Sequence, residues 1–128
     1  MRIIATSNFV DDQDKAQQFY TEKLGFKTKH NIEIGGGFRW VTVTEKDSTN
    51  PVEIVLEPNV SPISKDYQEG LYAAGIPVTM FGVDNLDGEH QALIDKGITF
   101  HTELKEVEGI RYAIFDDTCG NLIQIVEQ

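Results

Sequence analysis

The alternation of apolar and polar side chains predicts the same succession of elements twice over. Residues 2–10 alternate as a strand. Over residues 12–24, Ala16, Phe19, Tyr20 and Leu24 recur at helical spacing, with Asp residues at the entrance and Gly25 just past the exit. Residues 26–34 form a second strand that runs into Gly35, Gly36 and Gly37, and residues 38–44 and 52–57 follow as strands joined by the polar turn EKDSTN. The second run has a strand over 78–83, a helix over 86–96, and strands over 98–104, 110–115 and 121–127. Residues 59–77 between them are punctuated by Pro62, Gly75 and Pro77. There Ser61-Pro62 opens a short helix expected to place Tyr67 and Leu71 on one face.

The residues themselves repeat in the same order. GFRWVTV from Gly37 returns as GIRYAIF from Gly109, so that Arg39 matches Arg111 and Trp40 matches Tyr112. FVDDQDKAQQFY from Phe9 answers to GVDNLDGEHQAL from Gly82, with Asp14 over Asp87. The period of about 72 residues is too long for a solenoid unit and fits two copies of one small module. The expected fold class is α+β, with two paired β-α-β-β-β modules in a single domain spanning 1–128. Module 1 covers about 1–58, a linker 59–77, and module 2 78–128. A concave small-molecule site built by the two modules is the expected consequence.

Strand parity assigns the residues of that site. If Val52, Ile54 and Leu56 lie under the helix, Glu53, Val55 and Glu57 face the concave side. Val41 and Val43 as core turn Trp40 and Thr42 to the cavity, and the repeat sends Tyr112 and Ile114 the same way. In the last strand Ile123 and Ile125 suit the helix side, leaving Leu122, Gln124 and Val126 opposite, and Met80 shares the parity of Val78. The candidate ligand-binding residues are therefore Trp40, Glu57, Tyr112, Gln124, Glu53 and Met80, with Ala5 and Val55 adding apolar wall.

Composition narrows the partners. Twenty-one acidic against eleven basic side chains give the 128-residue chain a formal charge of −10, which disfavours nucleic acid, and no apolar run reaches membrane-spanning length. The start, MRIIATSNF, lacks secretory architecture, and a single cysteine, Cys119, excludes an internal disulfide, so a cytoplasmic location is expected. Cys119 sits in a turn beside Asp116 and Asp117 and reads as inert. His90 reads as an edge-of-core residue. His30 and His101 occupy nearly equivalent places in the two modules and read as scaffold symmetry, and Arg39 and Arg111 as scaffold or dimer contacts. Gly35–Gly37 precedes a strand rather than a helix, so it reads as a loop or lid and not a phosphate cradle.

The stretches FYTEKLGF at Phe19–Phe26 and DDTCGNLIQI at Asp116–Ile125, within this paired-module plan, resemble the vicinal oxygen chelate superfamily. Glyoxalase I, extradiol dioxygenases, fosfomycin-resistance enzymes and bleomycin-resistance proteins share that plan. The resemblance implies metal ligands, His or Glu, at positions that fall here on Ala5, Val78, Gln124 and near Val55, where a slip of two would substitute Glu53 or Glu57. Ala5 and Val78 cannot coordinate an ion, so no metal and no cofactor are expected. What remains resembles the bleomycin-resistance type, in which two subunits form clefts. The expected function is small-molecule binding, with sequestration of a cationic or planar ligand by a homodimer. A glyoxalase-like lyase or dioxygenase with an atypical metal site, and an acidic protein-binding module, are the alternatives.

Overall fold

In a computed structural model that describes residues 1–49 and 51–128, the chain forms two compact units, Met1–Lys65 and Asp66–Gln128. The first contains β1 (Ala5–Val10), α1 (Gln13–Gln18), β2 (Lys27–Gly35), β3 (Phe38–Thr44) and β4 (Glu53–Pro58). The predicted EKDSTN turn links β3 to β4; its last residue, Asn50, lies outside the described residues. A helix α2 (Pro62–Ala73) crosses the boundary, and the second unit continues with β5 (Thr79–Val83), α3 (Leu86–Asp95), β6 (Lys105–Val107), β7 (Ile110–Asp116) and β8 (Leu122–Glu127). The sheets are ordered β1-β4-β3-β2 and β5-β8-β7-β6. In each, the first strand runs parallel to the last and the remaining pairs are antiparallel. These two four-stranded sheets and their helices are the α+β repeat that the patterning predicts.

Helix α1 begins where Asp12, in extended conformation, accepts a hydrogen bond from the Lys15 backbone N–H. It continues into a π-helical turn, Phe19–Lys23, and stops at Gly25 with φ +82°. The widened turn leaves Phe19 and Tyr20 buried, with their rings edge to face at 5.7 Å. Leu24, expected in the core, is only half-buried, because it caps the π-turn instead of continuing the helical stripe. On the α1 side of the sheet the core holds Val41, Val43, Ile54 and Leu56 as the parity predicts. Val52 has that parity but precedes the first residue of β4 and is 43% exposed.

Two further expectations give way to tertiary structure. The strand predicted over 98–104 is irregular: the His101 and Thr102 N–H groups share the Ile114 carbonyl, and regular pairing begins only at Lys105. Helix α2 does form from Pro62, but it buries Ser64 and Gln68 rather than Tyr67, which is 54% exposed, and Leu71, which is half-buried. Gln68 lies inward because its amide is claimed by the turn before β8. It donates to the Cys119 carbonyl and to Asn121 Oδ1, both at 3.1 Å. Gly120 in that turn has φ +102°, and a Cβ there would stand 2.7 Å from the Gln68 amide nitrogen, so the close approach requires glycine.

Candidate functional site

In the first unit, register sets which side chains share the sheet face opposite α1. Thr42 pairs with Val55 and His30, Val55 with Ser7, Trp40 with Ile32, Ala5 with Glu53 and Phe9 with Glu57. All of these alternate away from Val41, Val43, Ile54 and Leu56. The expected site residues Trp40, Glu53 and Glu57 are thus brought onto one face, as are Ala5 and Val55. Their exposure differs. Thr42 and Val55 are closed off from solvent, whereas Trp40 is 39% and Ile32 54% exposed, a bare apolar platform.

Beside that platform lies a polar cluster that strand alternation alone does not reveal. The Thr42 hydroxyl donates to Glu53 Oε1 at 2.8 Å and accepts the His30 backbone N–H at 3.2 Å. His30 Nε2 stands 3.5 Å from Glu53 Oε1, and Lys29 Nζ 3.6 Å from Glu53 Oε2. Neighbouring strand residues normally point to opposite faces, yet Lys29 and His30 both reach one carboxylate. A register shift between Thr28 and His30 makes this possible by inserting Lys29 as an extra residue into β2. The reading of His30 as mere scaffold symmetry misses this contact. The only sequence signal was two adjacent cationic-type side chains in KTKHN, and nothing in it announces a bulge.

In the second unit the equivalent face, opposite α3, carries Met80 beside Gln124, Gln124 beside Ile114, and Val126 beside Tyr112. Met80 is 61% exposed, Tyr112 and Gln124 are half-buried, and Leu122, Ile114 and Val126 are buried. Tyr112, Gln124 and Met80 therefore share a face, as expected. At its end the Tyr72 hydroxyl of α2 donates to Asp116 Oδ2 at 2.5 Å, and this bond, with the adjacent negative charge, holds the Tyr72 phenol above its ordinary pKa. Elsewhere in this unit His90 packs on Phe100 with ring centroids 4.2 Å apart, which fits its edge-of-core reading. Together with His101, Ile94 and Leu104 they line an open groove of about 580 Å³.

The repeated arginines have a structural explanation. Arg39 pairs with Asp14 and Arg111 with Asp87, so both members of each pair recur in the repeat and tie the helix of each unit to its sheet. Arg111 also grips Glu127, which accepts the Leu86 backbone N–H at 2.8 Å. The backbone N–H, and after it the guanidinium, lower the Glu127 pKa below its ordinary 4.5. A depressed carboxylate contributes stability above the unfolded-state pKa and loses it as pH falls through the folded value. Glu127→Gln is therefore expected to lower the urea midpoint at neutral pH and to flatten the acid limb of the stability profile below about pH 4.5. An unchanged acid limb in the variant sinks that assignment.

The four positions at which the resemblance implies metal ligands hold Ala5, Val55, Val78 and Gln124. Three are apolar and one is an amide, a donor set that does not fit a divalent transition metal. Among the described residues there is no group of three or more His, Cys, Asp or Glu placed to hold a metal ion. Cys119 is buried in its turn, with its backbone N–H donating to Asp117 Oδ1.

The family profile described as Glyoxalase/Bleomycin resistance protein/Dioxygenase superfamily matches residues 2–125. The chain belongs to this superfamily. The resemblance read from FYTEKLGF and DDTCGNLIQI is thereby upheld over nearly the whole length. This superfamily member is 48% identical to the uncharacterized protein YurT of Bacillus subtilis (strain 168) over all 128 residues of both chains. The crystal structure of UcmS2 superimposes with a TM-score of 0.84 at 31% identity, covering 98% of this chain and 97% of that one. TnmS3, an antibiotic binding protein from Streptomyces sp. CB03234, matches with a TM-score of 0.74 at 23% identity over 99% of this chain and 95% of that one, a likeness of fold. No helix among the described residues is long and apolar enough to cross a membrane.

Proposed function

We propose that this superfamily member binds a small planar ligand on the sheet face opposite α1, without a metal, and that the equivalent face opposite α3 is a second candidate surface of the same kind. The observation that carries the reading is Trp40. A tryptophan in the middle of a strand is ordinarily buried, yet here it is 39% exposed beside an exposed Ile32, with Glu53 and Glu57 on the same face. Tyr112 holds the matching position in the second unit, beside Gln124 and Met80. Aromatic platforms with few polar points suit stacking on a planar or cationic ring system, and the two acidic side chains supply a charge complement. TnmS3 shows that this fold serves as an antibiotic binding protein elsewhere; the proposal for this chain rests on its own residues. Trp40 is the single tryptophan, so a fluorescence screen of planar cationic and neutral aromatic compounds reports directly on the site. Saturable quenching is expected, and a screen in which every binder leaves Trp40 emission unchanged overturns the reading.

The working form proposed is a homodimer. Apart from the ligand platform, Ile34 and Phe38 in the first unit, and Val107 and Ile110 in the second, are apolar side chains each more than a third exposed, a pattern of surface that partner subunits cover. Light scattering at micromolar concentration is expected to give twice the 14.4 kDa chain mass, and a monomer mass overturns it. Metal analysis of protein purified without a polyhistidine tag is expected to show no stoichiometric transition metal. One tightly held Ni, Zn, Mn or Fe per chain, lost on Glu57→Ala, would instead favour an atypical metalloenzyme.

A further inference from the structure

We propose that His30, oriented by Glu53, is a hydrogen-bond acceptor that selects planar ligands bearing a ring hydroxyl, such as phenols and enols. This deepens the proposed function and rests on it. The cluster is built rather than incidental: a bulge in β2 brings Lys29 and His30 to the same carboxylate, and the buried Thr42 hydroxyl links the His30 backbone to Glu53. His30 Nε2 faces Glu53 Oε1 at 3.5 Å, and since a carboxylate accepts and does not donate, the neutral imidazole places its proton on that nitrogen. Nδ1 is then an acceptor, and it has no partner among the described residues. Lys29 shares the Glu53 charge at 3.6 Å, so the cluster presents no net repulsion to a ring oxygen.

The spacing matches a flat ring system. His30 and Ile32 on β2, like Thr42 and Trp40 on β3, are two residues apart on one face, so acceptor and platform are separated by about 7 Å. A ligand of one or two fused rings lying on Trp40 and Ile32 thus places an edge substituent at His30. Glu53 stands on the other side of Thr42, since β4 runs antiparallel to β3 from the Thr42–Val55 pair. It orients the imidazole without occupying the platform, and so acts as a positioning residue. A ligand lacking a donor at that edge leaves Nδ1 desolvated and unpaired, and this difference is the source of selectivity.

Umbelliferone, a flat phenol, and its methyl ether test the assignment by calorimetry. The wild-type protein is expected to bind the phenol about tenfold more tightly than the ether, the effect of one well-placed hydrogen bond. His30→Phe is expected to abolish the preference while still binding both. His30 is partly exposed, so that variant folds; long-range nitrogen NMR of the wild type supplies an independent readout, with the Nε2–H tautomer expected and lost to a mixture in Glu53→Gln. Equal affinities in the wild type, a preference that survives His30→Phe, failure of both probes to bind, or an Nδ1–H tautomer overturns the inference. If both probes bind equally and Trp40→Ala weakens both, only the His30 role fails. If neither binds while other compounds quench Trp40, the ligand class fails and the site stands.

Discussion

Asp117→Ala is expected to destabilise the protein by about 3–5 kcal/mol, since it removes a buried carboxylate that accepts three N–H donors. Asp117 is fully buried, and its Oδ1 accepts the backbone N–H groups of Cys119 at 2.8 Å and Asn121 at 3.0 Å, while Oδ2 accepts Asn121 Nδ2 at 2.8 Å. Asn121 in turn accepts from Gln68 of α2, so the carboxylate anchors both the entry to β8 and the docking of the helix. Asp117→Asn should lose less, about 1–3 kcal/mol, because one acceptor oxygen survives while the amide nitrogen faces the Asn121 donor. Urea unfolding followed by circular dichroism measures both. A loss below about 1 kcal/mol for the alanine variant would show that water replaces the carboxylate and that the network contributes little.

Trp40→Ala is expected to weaken ligand binding about tenfold or more while lowering stability by less than about 1.5 kcal/mol. The asymmetry follows from exposure: a ring 39% open to solvent contributes less to the core than a buried one, and its open face is where the proposed ligand would stack. Calorimetric titration with any compound that quenches the wild-type protein, set beside the melting temperatures, separates the two effects. If the variant melts far lower and its folded fraction binds normally, Trp40 is a structural residue and the stacking role is wrong.

Much of the architecture was legible because it depends on short-range periodicity that the sequence states twice. Val41, Val43, Ile54 and Leu56 alternate, Ala16, Phe19 and Tyr20 recur helically, and both strand order and helix placement repeat in the second half. The pairing of Arg39 with Asp14 and of Arg111 with Asp87 also explains why both members recur at matching positions. Parity carried as far as the faces of Trp40, Glu53, Glu57, Met80, Tyr112 and Gln124, because a side-chain period of two leaves little freedom once the core face is known.

Where local pattern and long-range contact compete, the contacts decide. Residues 98–104 read as a strand, but the Ile114 carbonyl takes two successive N–H groups and breaks the ladder. The inward face of α2 is chosen by the Asn121 and Cys119 acceptors rather than by its apolar residues. Leu24 lies outside the expected stripe because the helix widens by one residue at Phe19. The meeting of Lys29, His30 and Glu53 requires one inserted residue in β2, and the exposure of Trp40 depends on what neighbouring chain leaves uncovered. By itself, then, the sequence determined the repeated elements, their core faces and the loss of the usual ligand set at Ala5 and Val78, since identity and period are local properties. Only the tertiary structure decided the bulge, the helix docking and the bare aromatic platform, because each arises from partners distant in the chain.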